Sequence, residues 1–302
     1  MKHEKKFILL LVSIFLITQL FGLFIINLNL SQTEEGDLEW DDLAYDTEVQ
    51  EENDFYFILF FIVILLGSLF YLFLFKKRKF KFIKGWYFFA IFFSVSYALF
   101  PIIKDDLIVS LSALLLAFFK IKRNNFLIHN ITEVLVYAGV ASILVPILSI
   151  KAVFSLLILI SLYDIYAVFH SKHMVDLAKS QIKLKLFSGL ALPKGNTKMS
   201  DLGDENIEDD NLPSSKDKDN NSSKSKKTNL AFLGGGDVIF PLLFAGVVLK
   251  NFSLLHSLFI IVGSTIGLFS LFYFGKKGKF YPAMPYLSLS IILSWFLSII
   301  IL

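Results

Sequence analysis

Nine long apolar runs occupy most of this chain. They cover about residues 7–28, 55–75, 82–103, 107–119, 127–150, 152–169, 229–249, 253–274 and 281–302. Runs of about 20 apolar residues are transmembrane helix candidates, because an α-helix of that length spans a hydrocarbon core about 30 Å thick. The sequence therefore predicts an all-α polytopic membrane protein with nine transmembrane helices. The run 107–119 is the least secure, since as a helix it would cover only about 20 Å.

Composition excludes several classes of protein. Hydrophobic residues make up 55% of the 302 residues, charged residues only 18%, and Cys is absent. The hydrophobic fraction excludes an ordinary soluble enzyme, and the absence of Cys excludes disulfides, thiolate nucleophiles and cysteine-based zinc sites. The Lys and Arg residues form short clusters beside the apolar runs, where they set membrane topology. This placement argues against a nucleic-acid partner.

The charged loops predict an orientation. Lys2, Lys5 and Lys6 place the N-terminus inside, and residues 29–54, which hold eleven acids and no Lys or Arg, fall outside. The strongly basic loops that follow fall on the inner side only if the short run 107–119 also crosses the membrane. The same alternation of loops between the two sides places the C-terminus outside. We expect a multi-pass protein of the cell (plasma) membrane, with a cytoplasmic N-terminus.

One long internal loop, residues 170–228, divides the chain into a six-helix part (1–169) and a three-helix part (229–302). The segment 172–192 mixes basic and apolar residues, which predicts an amphipathic extension along the membrane surface. Residues 195–228 are rich in Asp, Asn, Ser and Lys. Such a composition buries too little apolar surface to order itself, so this part of the loop is predicted to be disordered.

Two aspartates lie inside apolar runs, where ionisable groups are costly and are therefore functional candidates. Asp164 follows Tyr163 in the sixth run, and Asp237 lies in the seventh. Both lie toward the inner membrane surface, so their carboxylates can face each other. A facing pair shares one proton and can act as base and acid on a water molecule. Position alone leaves open a hydrogen-bonding role between helices, or a proton or cation site in a transporter.

Two further features favour proteolysis. Gly234, Gly235 and Gly236 place three residues without Cβ beside Asp237, which weakens the helix and lets another backbone approach closely. A protease acting inside the membrane must open a substrate helix and hold its backbone extended. The Pro residues at the start of the last run favour irregular backbone, tolerated at membrane depth where it lines a cavity or is buried in protein, although Pro is also common in a first helical turn.

Together these residues resemble the presenilin and signal peptide peptidase family of intramembrane aspartyl proteases, most closely its archaeal presenilin-like members. The family has Tyr-Asp in its sixth helix, Gly-x-Gly-Asp in its seventh and Pro-Ala-Leu before its ninth. The matching segments here are Tyr163-Asp164, Gly234-Gly235-Gly236-Asp237 and Pro282-Ala283-Met284. Met284 replaces the usual Leu, a swap that conserves volume and apolar character.

The resemblance implies an intramembrane aspartyl endopeptidase with a presenilin-like fold. It implies that Asp164 and Asp237 are catalytic, and that a second set of residues contacts the substrate. That set is Tyr163, Gly234, Gly235, Gly236, Pro282, Ala283 and Met284. The inside N-terminus matches the presenilin orientation, for which substrates would have their N-termini outside.

Cofactors and partners complete the expectations. His129 and Glu133 are i, i+4 neighbours that could pair or bind a metal, but two ligands make a weak site. We expect no metal and no organic cofactor. The expected partners are transmembrane helices of substrate proteins and the lipid bilayer, with a homo-oligomer left open.

Overall fold

The computed structural model describes residues 2–35, 56–122, 125–170, 186–193, 230–274 and 282–302. These ranges contain nine helices: α1 (Lys2–Glu35), α2 (Tyr56–Lys76), α3 (Phe80–Ile103), α4 (Asp106–Lys122), α5 (Phe126–Leu144), α6 (Ile150–Phe169), α7 (Gly235–Asn251), α8 (Leu254–Phe274) and α9 (Ala283–Ile301). Two strands, β1 (Gly189–Pro193) and β2 (Leu230–Gly234), precede α7. The predicted helical membrane fold is confirmed.

Six of the nine helices are long and apolar enough to cross a membrane by length and composition alone: α1, α3, α5, α6, α8 and α9. The doubtful fourth span is longer than predicted. It runs from Asp106 to Lys122, which is 17 residues and about 26 Å. The apolar run ends at Lys120, but the helix continues because the Lys120 side chain is buried and paired with Glu133.

Helix α7 forms the centre of the bundle. Every residue from Pro241 to Val248 is buried, as expected of a helix that is apolar on all sides. It packs against α1, α5, α6, α8 and α9. Gly246 allows a close approach here, since a Cβ at that position would lie 2.5 Å from Cγ2 of Val145. The part of α7 that follows Asp237 is therefore held by apolar packing on all sides.

The two strands form an antiparallel pair that the sequence did not predict. Gly189 pairs with Gly234, and the register continues to Pro193 opposite Leu230. Gly189 has φ 156°, and a Cβ there would lie 2.4 Å from the carbonyl oxygen of Leu233. Only glycine fits such a position without strain.

This pair corrects two expectations. The seventh span was predicted as a helix over 229–249, but 230–234 is a strand and α7 begins at Gly235. Glycine is a poor helix former, so residues 230–234 pair with β1 instead of extending the helix. Part of the predicted surface extension 172–192 is instead buried strand, since Leu190 and Ala191 have no exposed surface. The predicted disorder of 195–228 lies outside the described residues.

Candidate active site

Asp164 lies near the end of α6 and is only 6% exposed. Its Oδ2 accepts a hydrogen bond from the backbone N–H of Met284 at 3.0 Å, and the N–H of Ala283 also interacts with the carboxyl. These N–H groups belong to the first turn of α9, where a helix offers donors without intrahelical partners. Pro282 precedes them in extended conformation, with φ −64° and ψ 120°. The carboxyl group of Asp164, which is carried by α6, therefore caps the N-terminus of α9.

A hydroxyl pair joins the same two helices one turn from Asp164. Ser161 Oγ lies 2.7 Å from Ser288 Oγ and 2.7 Å from the carbonyl oxygen of Leu157. Ser161 precedes Asp164 by one helical turn, and Ser288 follows Met284 by one turn. The pair consequently fixes the first turn of α9 against the segment of α6 that carries Asp164.

Asp237 is the third residue of α7 and is half-buried. Gly234 is the residue before the helix, with an extended ψ of 143° and no side chain to cap it. The carboxyl of Asp237 folds back toward this end: a Cβ on Gly234 would lie 3.1 Å from Oδ2. A carboxylate in the first turn interacts favourably with the helix dipole.

The backbone next to Asp237 is tied to α1. Pro241 has no N–H, so it cannot donate the usual helical bond to the carbonyl of Asp237. The next carbonyl, that of Val238, accepts a hydrogen bond from Nε2 of Gln19 at 2.8 Å. Gln19 is completely buried. This bond supports α7 where proline has weakened it.

The three glycines have different surroundings. Gly234 borders the Asp237 carboxyl, as described. A Cβ on Gly235 would lie 3.2 Å from the Tyr137 hydroxyl and 3.4 Å from the carbonyl oxygen of Ser188, whereas one on Gly236 would meet only the Phe240 ring, at 3.5 Å. Gly236 is exposed. Its missing side chain therefore leaves space on the open side of the chain rather than inside the protein.

The structure brings Asp164 and Asp237 together from α6 and α7, close enough for the two carboxyl groups to interact electrostatically. Ala283 and Met284 also lie in this site, with Met284 buried. Tyr163 is directed toward α2, where its ring packs edge-on against Phe61 with centroids 6.1 Å apart. Like charges in a water-poor site do not both ionise easily, so the arrangement suits a pair that shares a proton.

The two residues considered as metal ligands take separate partners. His129 Nε2 hydrogen bonds the carbonyl oxygen of Gly189 at 2.8 Å. Glu133 pairs with Lys120 inside the protein, and both side chains are almost wholly buried. Tyr87 completes the group, since its hydroxyl lies 3.4 Å from Glu133 Oε1 and its ring lies under Nζ of Lys120.

Sequence reasoning missed several residues that support the site: Gln19, Lys120, Asn130, Ser161 and Ser288. Lys120 carried a usable signal, because it ends one apolar run and the acidic residue Glu133 lies near the start of the next run, on the same side of the membrane. The serines and Gln19 carried none, since polar residues of this size are common in transmembrane helices. Their partners are far away in sequence.

Comparison with known proteins identifies the class. The family model described as "Signal-peptide peptidase, presenilin aspartyl protease" matches residues 6–302. Two solved structures of a presenilin family intramembrane aspartate protease have the same fold. The one in space group C222 has a TM-score of 0.64 and 20% identity, covering 98% of this chain and 99% of that one. The one in space group P2 has a TM-score of 0.62 and 21% identity, covering 95% and 97%. No curated protein matches this chain.

The chain belongs to the signal-peptide peptidase and presenilin family of aspartyl proteases. It is a multi-pass integral membrane protein and an intramembrane aspartic endopeptidase, whose substrates are membrane proteins in a lipid bilayer. The predicted family, fold and activity are confirmed, and the transporter alternative is not supported.

Proposed function

We propose that Asp164 and Asp237 are the catalytic pair that hydrolyses peptide bonds within transmembrane segments. The observation that carries this proposal is that α6 and α7 pack directly against each other with one carboxyl group on each, near enough for the two groups to interact electrostatically. Each is also positioned by a helix N-terminus, Asp164 by the first turn of α9 and Asp237 by the first turn of α7. Groups held this way can act on a substrate with little rearrangement.

In the proposed mechanism one aspartate is ionised and the other is protonated. The ionised carboxylate takes a proton from water as the water oxygen attacks the scissile carbonyl carbon. The protonated carboxyl transfers its proton to the carbonyl oxygen, so a neutral tetrahedral diol forms. Collapse breaks the C–N bond: the leaving nitrogen takes the proton from the carboxyl that received it from water, one diol hydroxyl returns a proton to the other carboxylate, and a carboxylic acid and an amine are released. No acyl-enzyme, metal or organic cofactor takes part.

The surroundings of the pair support a substrate held in extended form. The carbonyl of Gly189 and both backbone groups of Ala191 are bonded to α5, so at these residues the edge of β1 that faces away from β2 is already occupied. β2 ends three residues before Asp237. An extended substrate chain would pair with the edge of β2 that faces away from β1. Gly236 leaves room for that chain. We propose Tyr163, Gly234, Gly235, Gly236, Pro282, Ala283 and Met284 as the substrate-contacting set.

The cellular setting follows from the charges of the loops. We propose a plasma-membrane location. We also propose that the N-terminus is cytoplasmic and the C-terminus outside, because the basic clusters flank alternate apolar runs. In this orientation substrates would have their N-termini outside. A homo-oligomer is compatible with this arrangement. Reporter fusions at each terminus, read for cytoplasmic or external activity, test the orientation.

The test of the proposed activity uses purified protein in detergent with a transmembrane peptide. Mass spectrometry of the products is expected to find cleavage within the apolar stretch by the wild type. Asp164→Asn and Asp237→Asn are expected to produce none while eluting as folded protein. Substantial cleavage by either variant would remove that aspartate from the mechanism.

A further inference from the structure

One face of α5 carries three polar side chains directed at β1 and the residue before it. Asn130 forms two hydrogen bonds with Ala191: its Nδ2 donates to the carbonyl oxygen at 2.8 Å, and its Oδ1 accepts from the N–H at 3.0 Å. His129 Nε2 lies 2.8 Å from the carbonyl oxygen of Gly189. Ser188 Oγ donates to Glu133 Oε2 at 3.4 Å. α5 therefore holds β1 along its length.

The two bonds of Asn130 identify a single residue of the strand. In a β-strand the N–H and C=O of one residue point to the same edge, and the next residue points to the other. Since Gly189 and Ala191 face α5, Leu190 and Leu192 face β2. An amide side chain that binds both backbone groups of Ala191 cannot do so for a neighbour, which would present the opposite edge. Asn130 thus fixes the register of β1 against α5.

That register reaches the catalytic pair through β2. Gly189 pairs with Gly234, and Asp237 follows three residues later on the first turn of α7. A slip of one residue between the strands corresponds to about 3.3 Å along the strand. Such a displacement is several times the misplacement of about 1 Å that already impairs catalysis. The side-chain bonds that hold β1 therefore also hold β2, the strand proposed to present the substrate to Asp237.

We propose that Asn130 and His129 are positioning residues that fix the register of β1 and, through β2, select which peptide bond of the substrate meets Asp164 and Asp237. This inference rests on the proposed function, specifically on substrate pairing with β2. A purely structural role would lower stability without moving the cleavage site. A positioning role moves the site.

The experiment compares cleavage sites in one transmembrane peptide by mass spectrometry. Asn130→Leu is nearly isosteric and removes both bonds to Ala191. Its matched control is Asn251→Leu at the opposite end of α7, where the amide bonds only the carbonyl of Val247 in its own helix. His129→Leu removes the donor to Gly189, and His129→Gln keeps a donor nitrogen at similar reach. Amide hydrogen exchange of residues 189–192 is followed in parallel.

We expect Asn130→Leu and His129→Leu to spread cleavage over neighbouring bonds and to lower kcat on the order of 10-fold. His129→Gln and Asn251→Leu should cut where the wild type cuts. The amides of residues 189–192 should exchange faster in both Leu variants, and fastest in Asn130→Leu, where the N–H of Ala191 loses its acceptor. If Asn130→Leu does not fold, the two His129 variants decide the matter.

Cleavage at the wild-type bond with the wild-type kcat in both Leu variants would overturn the inference, whatever their stability. Failure of the wild type to cleave any transmembrane peptide would count instead against the proposed function. In that case hydrogen exchange still decides, because unchanged exchange of the amides of residues 189–192 in Asn130→Leu would show that Asn130 does not hold the strand.

Discussion

The two aspartates of one site are held in different ways. Asp164 lies within α6, and its support is local: the N–H of Met284 and a hydroxyl pair one turn away. Asp237 begins α7 after a glycine run, and its support is distributed through β2, β1 and the buried groups of α5. The Asp237 side of the site therefore depends on a larger network of contacts than the Asp164 side. Changes remote from chemistry should therefore do more damage there than on the Asp164 side.

The largest effect is expected from Lys120→Met. It leaves Glu133 buried without its cation, and breaking a buried pair in this way costs about 3–5 kcal/mol of folding free energy. The double variant Lys120→Met/Glu133→Gln removes both charges and should recover part of the loss. Thermal unfolding in detergent measures both. Equal destabilisation in the single and double variants would show that the charge pairing is not what holds this region.

Gly189→Ala is expected to be next. The residue would adopt φ 156° with its Cβ 2.4 Å from the Leu233 carbonyl oxygen, a backbone strain of about 1–3 kcal/mol. The lower unfolding temperature should be accompanied by loss of cleavage, because the sheet is disturbed next to Asp237. Gly67→Ala in α2 is the control, since a Cβ there meets nothing within 4 Å. Equal behaviour of the two variants would contradict the tight contact at Gly189.

Gly236→Ala separates substrate contact from stability. The added methyl would meet the protein only at the Phe240 ring, at ordinary contact distance, and alanine is the better helix former, so the unfolding temperature should not fall. On the open side it would occupy space assigned to substrate, and kcat/KM should fall on the order of 10-fold, or about 1.4 kcal/mol. Unchanged kinetics would argue that substrate does not approach this glycine.

The smallest effect is expected on the Asp164 side. Ser288→Ala removes the hydroxyl that bonds Ser161, a loss of about 1 kcal/mol, and cleavage should fall by a few-fold as α9 loosens over Asp164. Ser290→Ala is the control, because that hydroxyl bonds only carbonyls of its own helix. If Ser288→Ala were more damaging than Gly189→Ala, the comparison between the two sides would be reversed.

The helices and the two aspartates were predictable from sequence because both leave strong local signals: apolar runs of membrane length and rare acids inside them. The strands were not. Residues 189–193 and 230–234 are separated by the long loop, and their pairing depends on contacts that no local pattern records. The role of Ala283 and Met284 as backbone donors to Asp164 was also hidden, since main-chain N–H groups are the same at every residue. The resemblance to the family indicated that Ala283 and Met284 belong to the site, but not that their N–H groups bind the Asp164 carboxyl.

The most direct test of the central claim is a comparison of cleavage rates in Asp164→Asn, Asp237→Asn and the double variant. Groups that act as one unit are strongly non-additive. We predict that each single variant loses turnover and that the double variant is no slower than either. Turnover retained by one single variant, or a double variant much slower than both, would contradict a catalytic pair.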